Sequence, residues 1–442
     1  MINRNSFFAL AFGLSTVAGA AAALDAPAAR IRIDAALDRS YPALDALYKD
    51  IHAHPEIGFQ EVRTAKLLAT QMRKLGFEVT EGVGKTGIVA IYRNGPGPTV
   101  MVRTELDGLA MREKTGLPYA SSYQQTVGGK PAYTMHSCGH DVHMAWWVGT
   151  AQALLAMKDA WSGTLMFIGQ PAEESVTGAR AMLDDGLFSR FLRPDFAFAA
   201  HISSLPMGVV ALKEGVATSA QDAIAIRFKG RGGHGSIPAA TIDPIVMGAQ
   251  FVTDVQTVIS RKKDPGAFGV VTVGAFNSGT VANIIPDEAE LKLSLRSFSP
   301  EVRKLLNDGV RRTAKAVADM AGAPEPEIAY LSGVGAMMND VPLTRRLSKV
   351  LKPVFGDALM YFTENEPGGP GSEDFSVFAE AGVPSAFIGV GGFDPKMIEE
   401  YKALGKPVPV NHSPLFAPMH EPSIRLGTVV LTLAVLEVAE RK

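Results

Sequence analysis

The spacing of apolar residues changes several times along the chain, and each change marks an element. Over residues 60–77, "QEVRTAKLLATQMRKLGF", Val62, Leu67, Leu68, Met72 and Leu75 recur near helical spacing, and Gly76 ends the run. Compact apolar stretches at residues 86–93, 98–107, 163–171 and 195–202 ("TGIVAIYR", "PTVMVRTELD", "GTLMFIGQP", "DFAFAAHI") have the length of buried strands. Between the second and third lies "DVHMAWWVGTAQALLAMKDA", which reads as a buried helix. Strands alternating with helices predict an α/β layer with a mixed, largely parallel sheet.

A second pattern begins near Thr218. "AQDAIAIRFKG", "FGVVTVGAFN", "DEAELKLSLRSF" and "PEIAYLSG" read as strands, with helices at residues 243–262 and 300–322 between them. The order β-α-β-β-α-β is that of a ferredoxin-like unit, which places an inserted domain at residues 215–332. The first pattern resumes with "PLTRRLSKVLKPVFG", "SEDFSVFAEAG", "PSAFIGVGG" and a helix from about residue 423. The expected division is a leader at residues 1–23, one α/β half at 36–214, the insertion at 215–332, and the second half at 333–442. No nucleotide-binding Gly-rich fingerprint is present.

The leader, "MINRNSFFALAFGLSTVAGAAAALDA", has Arg4, an apolar stretch over residues 7–17 and then small residues at Ala18, Ala20, Ala21 and Ala23. That is the form of a secretory signal peptide. Ser15, Thr16 and Gly19 interrupt it, short of the roughly 20 apolar residues a membrane span needs. No later stretch is expected to span, so a secreted protein without membrane partners, most simply periplasmic, is predicted. A formal net charge of -2 with 20% charged residues gives no electrostatic case for nucleic acid. The single cysteine, Cys138, cannot form an intramolecular disulfide. In an oxidising compartment it must be buried, catalytic or held by a metal.

Acidic and imidazole groups gather at strand ends, where α/β proteins build their sites: Asp107, Cys138, His140, Glu173, Glu174, His201 and His412. Cys138 and His140 are two apart, so in an extended segment both point the same way and can converge on one ion. Cysteine, histidine and carboxylate together suit zinc, manganese or a similar divalent ion. Five donors exceed the needs of one tetrahedral ion, whereas two bridged ions would use them all. In Glu173-Glu174, one carboxylate can bind metal while its neighbour takes a proton from water, whose pKa on a divalent ion falls from about 15.7 to roughly 7.

The segments "DIHAHPEIGFQE", "RTELDGLAM", "MHSCGHDVHMA", "GQPAEES", "AAHISSLPMG", "GRGGHGSIP", "ANIIPDEAELKLSLRSF", "GSEDFSVF" and "VNHSPLF" occur in an order that resembles the metallo-aminoacylase and carboxypeptidase superfamily. The similarity is greatest to the branch of hippurate hydrolases and plant auxin-amino-acid conjugate hydrolases, and it runs from about residue 43 to the end. The resemblance implies a zinc-peptidase-like catalytic domain interrupted by a lid and dimerisation domain. It implies two divalent ions (zinc, manganese or cobalt) held by Cys138, His140, Glu174, His201 and His412, with Cys138 bridging. It further implies Glu173 as general base, Asp107 as the residue orienting the ligands, and His234 reaching the substrate across a homodimer interface to stabilise the oxyanion. Asn283 and Arg296 match positions that hold the substrate carboxylate.

Three departures bear on the pocket. Glu105 stands where the branch has an aspartate, Gly235 follows His234 where alanine is usual, and the segments before the metal motif and before His412 are long. Among the remaining histidines, His52 and His54 are expected to pack at a helix start, His143 in the core or behind the ligands, and His420 structurally. Glu373 and Asp374 are expected to cap a helix, although the resemblance puts them near the site. Met207, Met247, Trp146 and Trp147 are expected in the core. The expected activity is hydrolysis of an N-acyl amino acid to a carboxylic acid and a free amino acid. The rivals are a dipeptidase or carboxypeptidase on the same scaffold, a cysteine hydrolase using Cys138 with His140, and a binding module without turnover.

Overall fold

The computed structural model describes residues 24–441; the leader read in residues 1–23 lies outside them. Eight strands form a central sheet in the order Glu78–Val83, Gly87–Asn94, Gly163–Gln170, Thr99–Glu105, Phe196–Pro206, Ser385–Phe393, Val210–Lys213 and Leu359–Phe362. From Gly163–Gln170 to Ser385–Phe393 neighbouring strands run parallel, while the edges include antiparallel pairs. Thr99–Glu105 is buried at every position, which is why it reads as a continuous run rather than an alternation. Val100 and Val102 enter one core cluster and Met101 the other, as the two-residue pleat requires.

The helices Ala26–Ala53, His140–Ala156, Val341–Phe355 and His420–Ala439 supply the larger cluster. Trp146 and Trp147 are fully buried in it, and the Trp147 indole N–H donates to Val102 O at 3.0 Å. Two expectations need correction here. Helix Ala26–Ala53 already belongs to this layer, ahead of the expected start at residue 36: Ala29, Ile33, Leu37, Leu44 and Ile51 form a buried stripe set among alanines that blur its period. Helix His420–Ala439 is also long and apolar enough to cross a membrane, contrary to the expectation that no later stretch would be. Its window is 78% buried, so its apolar character is that of a core helix.

Both long segments acquire structure. Gln124–Val127 and Lys130–Tyr133 pair as a hairpin, closed by Gly128 and Gly129 at φ 56 and 80, the two left-handed residues such a turn needs. Before His412, Pro395–Ala403 forms a helix capped by the Asp394 carboxylate.

The second layer pattern is a separate antiparallel sheet in the order Gly269–Asn277, Glu288–Ser297, Ala220–Lys229, Glu327–Val334. Helices Pro244–Asp254 and Pro300–Met320 pack on it around Phe228, Phe251, Leu291 and Val310. The helix expected over 243–262 ends at Asp254, and a wider turn at Val258–Lys262 follows, with Val258 buried against Gly309. Gly215–Thr218 and Met337–Asn339, the two crossings into this unit, pair with each other.

His52 lies in the last turn of helix Ala26–Ala53 rather than at a helix start, and it carries charge there. Its Nδ1 lies 2.6 Å from Asp141 Oδ2 and its Nε2 3.2 Å from Glu113 Oε1. Burial opposes protonation, but the two carboxylates outweigh it and push His52 up to about 9, while both acids are held below their usual range. A raised histidine pKa stabilises the fold fully below its ordinary value near 6.5 and loses that contribution as pH rises through about 9. Thermal unfolding of wild type and His52→Gln should therefore differ most near pH 6 and converge toward pH 10. A difference independent of pH would contradict the charged triad.

Candidate active site

Cys138 and His140 converge, but not through an extended segment. Gly139 sits at φ 87 as the N-cap of the helix that His140 begins. A Cβ there would lie 2.4 Å from Ile202 Cγ2, so only glycine fits this corner. His140 Nδ1 faces Asp107 O at 2.8 Å and Oδ1 at 3.4 Å, which turns Nε2 to the opposite side. His201 is oriented in the same way: Nδ1 lies 2.7 Å from Ile202 O, and Nε2 lies 3.4 Å from Cys138 Sγ. His412 Nε2 approaches Glu174 Oε2 at 3.2 Å.

The loop after Gly163–Gln170 delivers Glu173 and Glu174 in different directions. Ala172 and Val176, at φ 50 and 51, flank them in the left-handed region, a strained backbone of the kind found at functional sites. Gly178 closes the loop, because a Cβ there would meet Pro171 O at 1.5 Å. Asp107 Oδ2 accepts from Glu174 N at 3.0 Å, so Asp107 braces both His140 and the carboxylate loop.

Donor atoms of Cys138, His140 and Glu174 lie within 4.8 Å of one another. His140 Nε2, Glu174 Oε1 and Asp107 Oδ1 are buried without a hydrogen-bond partner, each costing about 1–3 kcal/mol unless something binds it. Burial, then the Glu174 charge, push the Cys138 thiol up to about 12, so holding it as thiolate takes a cation. These donors fit divalent metal.

Glu173 borders this cluster: its Oε2 lies 3.8 Å from His140 Nε2, and its carboxylate groups with those of Glu373 and Asp374. It is 6% exposed, and burial followed by the charges of Glu373, Glu174 and Asp374 raises its pKa well above the usual carboxylate value. His143 stands behind the ligands, as expected, with both ring nitrogens engaged: Nδ1 lies 2.9 Å from Glu105 Oε2, and Nε2 accepts from Ile202 N at 2.9 Å. Glu105 thus joins His143 to Arg103, a buried guanidinium that also donates to Glu373 Oε1 at 2.6 Å and Asp374 Oδ1 at 3.0 Å. Asp374 additionally accepts from Ala179 N at 3.0 Å, the start of a short helix.

A cavity of about 460 Å³ is lined by Cys138, Glu173, Glu174, His201 and His412 and also by Arg296. Arg296 donates to Ser372 Oγ at 2.9 Å and Pro370 O at 3.1 Å. No carboxylate pairs with it among the described residues, and burial alone shifts its pKa, downward.

His234 and Asn283 do not join this cavity within the chain. They are exposed and adjacent on a ribbon formed by Gly233–His234 and Ile284–Ile285, where His234 Nδ1 lies 2.7 Å from Ser236 Oγ. Asn411 was missed by the sequence reading: its amide donates to Cys138 O and Ile202 O, both at 3.1 Å, tying two ligand segments together. Its place beside His412 in "VNHSPLF" was the available signal.

A profile described as peptidase family M20/M25/M40 matches residues 101–404. The chain is 38% identical over 340 residues to a hippurate hydrolase of Campylobacter jejuni, covering 75% of this chain and 83% of the relative. It is 34% identical over 352 residues to an N-acetylcysteine deacetylase of Bacillus subtilis (78% and 86% covered) and 34% identical over 399 residues to thermostable carboxypeptidase 1 of Saccharolobus solfataricus (89% and 94%). Among solved structures, an aminohydrolase from methicillin-resistant Staphylococcus aureus described as putative superposes with a TM-score of 0.77 at 30% identity, covering 93% of this chain and all of that one. A dinuclear metal-binding peptidase of the M20 family from Bacillus subtilis gives 0.69 at 28%, with 91% and 99% covered. With the buried donor cluster, these similarities make the chain a member of peptidase family M20/M25/M40 and a metal-dependent hydrolase of amide or peptide bonds with a dinuclear centre.

Proposed function

We propose that this enzyme hydrolyses N-acyl amino acids to a carboxylic acid and a free amino acid. The observation that carries the reading is one cavity lined both by the metal-donor cluster and by Arg296, a half-buried guanidinium with no carboxylate partner among the described residues. An N-acyl amino acid has a matching pair of features, an amide carbonyl and a carboxylate a few bonds away. Hippurate and N-acetylcysteine, for which two relatives are named, are both N-acyl amino acids. A carboxypeptidase reading has the support of a third relative's name; it requires a peptide to be preferred over a simple acyl group.

In this reading Arg296 holds the substrate carboxylate by charge-assisted hydrogen bonds. Cys138, His140, Glu174, His201 and His412 would hold two divalent ions, zinc, manganese or cobalt, which would supply the Lewis acidity to polarise the amide carbonyl and acidify water. Glu173 takes the proton of the attacking water and passes it to the leaving nitrogen as the C–N bond breaks.

The inserted unit, with its ferredoxin-like strand order, serves as lid and dimerisation domain in the same reading. Exposed Ile237, Val281 and Ile284 beside the ribbon support a homodimer in which His234 and Asn283 serve the partner's cavity. The leader in residues 1–23 supports export to the periplasm.

The test uses protein stripped by chelator and reloaded with zinc, manganese or cobalt, against N-acetyl, N-benzoyl and long-chain N-acyl amino acids, their methyl esters, and dipeptides. Amino-acid release should vanish on stripping and return with metal. Esterification should lower kcat/KM by about 10–100-fold, the value of a hydrogen-bonded charge. Preference for dipeptides would replace this reading with the peptidase one, and esters cleaved as well as free acids would remove Arg296 from it.

A further inference from the structure

We propose that a second, apolar cavity opening beside the metal centre is the acyl-chain subsite, so that the enzyme prefers extended hydrophobic N-acyl groups. The inference rests on the N-acyl amino acid reading above and deepens it.

The cavity measures about 320 Å³, at the lower end of the roughly 300–1,000 Å³ typical of ligand pockets. Its walls include Ala211, Leu212, Ala217, Phe362 and Gly389. It adjoins the active cavity, and Thr218 and Phe387 line both. Lys213 is the one charged side chain in its wall, and that ammonium donates to Glu214 O, leaving the aliphatic stem as surface.

The space exists because the residues facing one another are small. Gly389 pairs with Ala211 across adjacent strands, and a Cβ at 389 would already lie 3.1 Å from Ala211 Cβ. Thr218 Oγ1, at the junction, is buried without a hydrogen-bond partner.

Connectivity decides which half of the substrate enters. The acyl substituent is bonded directly to the carbonyl carbon, so it departs from the metal centre itself. The amino-acid side chain hangs from the carbon that bears the carboxylate, and so stays near Arg296. The Phe387 ring centroid is 6.0 Å from that of His201, so the apolar cavity begins beside a metal ligand, where the acyl chain must leave.

The experiment measures kcat/KM for N-acetyl-, N-butanoyl-, N-hexanoyl- and N-octanoylglycine. A parallel series keeps the acetyl group and lengthens the amino acid from glycine to norleucine. In wild type the acyl series should rise about four-fold per methylene until the cavity is full, equivalent to about 0.8 kcal/mol per buried CH2. Ala211→Phe should cut the octanoyl-to-acetyl ratio by about ten-fold or more and leave the norleucine-to-glycine ratio within about two-fold. Should that variant fail to fold, Ala217→Leu probes the same wall, and the wild-type series decides without either.

A flat acyl series in an enzyme that cleaves N-acetylglycine overturns this subsite alone. A filled cavity that changes the norleucine series instead assigns the space to the amino-acid side chain and overturns it too. Absence of cleavage throughout both series, with metal bound, overturns the N-acyl amino acid reading and this subsite with it.

Discussion

Glu173→Gln should lower kcat by about 10²–10⁴-fold, the usual contribution of a positioned acid–base group, with metal content unchanged. The substitution keeps the shape of the side chain and removes only its proton-transfer capacity. Metal retention is expected because Glu174 has its carboxylate directed at His412 and within reach of Cys138 and His140, whereas Glu173, 3.8 Å from His140 Nε2, groups with Glu373 and Asp374. Stability should hold or rise slightly, since burial and the charges of Glu373, Glu174 and Asp374 all oppose ionisation of Glu173. Steady-state kinetics, elemental analysis and thermal unfolding on one preparation separate these effects. Unchanged turnover removes Glu173 from its assigned role; lost metal reassigns it as a ligand.

Arg103→Met should be the most damaging change to the fold, costing about 3–5 kcal/mol, because removing one partner of a buried ion cluster strands the others. Arg103 is fully enclosed and donates to Glu105, Glu373 and Asp374 together. Burial pushes Glu373 up to about 7 and Asp374 up to about 6 even with the guanidinium opposing it. Glu105, by contrast, is held well below the usual range, because Arg103 and His143 overcome the burial penalty. Without Arg103 the acids must take up protons or repel one another, and Glu105 loses one of the contacts that position it against His143. Arg103→Lys should fall between, since an ammonium keeps the charge but not the planar fork. The midpoint of urea unfolding measures both. A loss below about 1 kcal/mol for Arg103→Met, the range of surface ion pairs, would contradict the cluster's structural role.

This cluster also marks the limit of what the sequence disclosed. Cys138, His140, Glu173 and Glu174 were legible because each sits in a short segment whose residue types suggest chemistry locally. Arg103 and Glu373 are 270 positions apart, and nothing in either segment announces the other. Glu105 was noticed as a departure, but its use of the extra methylene to reach His143 depends on where the helix His140–Ala156 crosses the strand. Alternating and continuous apolar runs gave the strands well, because a pleated chain sorts its side chains strictly by face. Helix Ala26–Ala53 was missed because its buried Ile and Leu are set among alanines and interrupted by Pro42, which blurs the helical period. The apolar cavity could not be read at all, since it is made by small residues at Ala211, Ala217 and Gly389 that meet only in the folded sheet.

The most direct measurement is a metal titration of stripped protein, with bound metal and hydrolysis of an N-benzoyl amino acid followed on the same samples. Hydrolysis should be absent without metal and reach its plateau as two ions per chain are bound, the occupancy that the five donors Cys138, His140, Glu174, His201 and His412 are assigned. Full hydrolysis with no metal bound, or none with both ions in place, would contradict it.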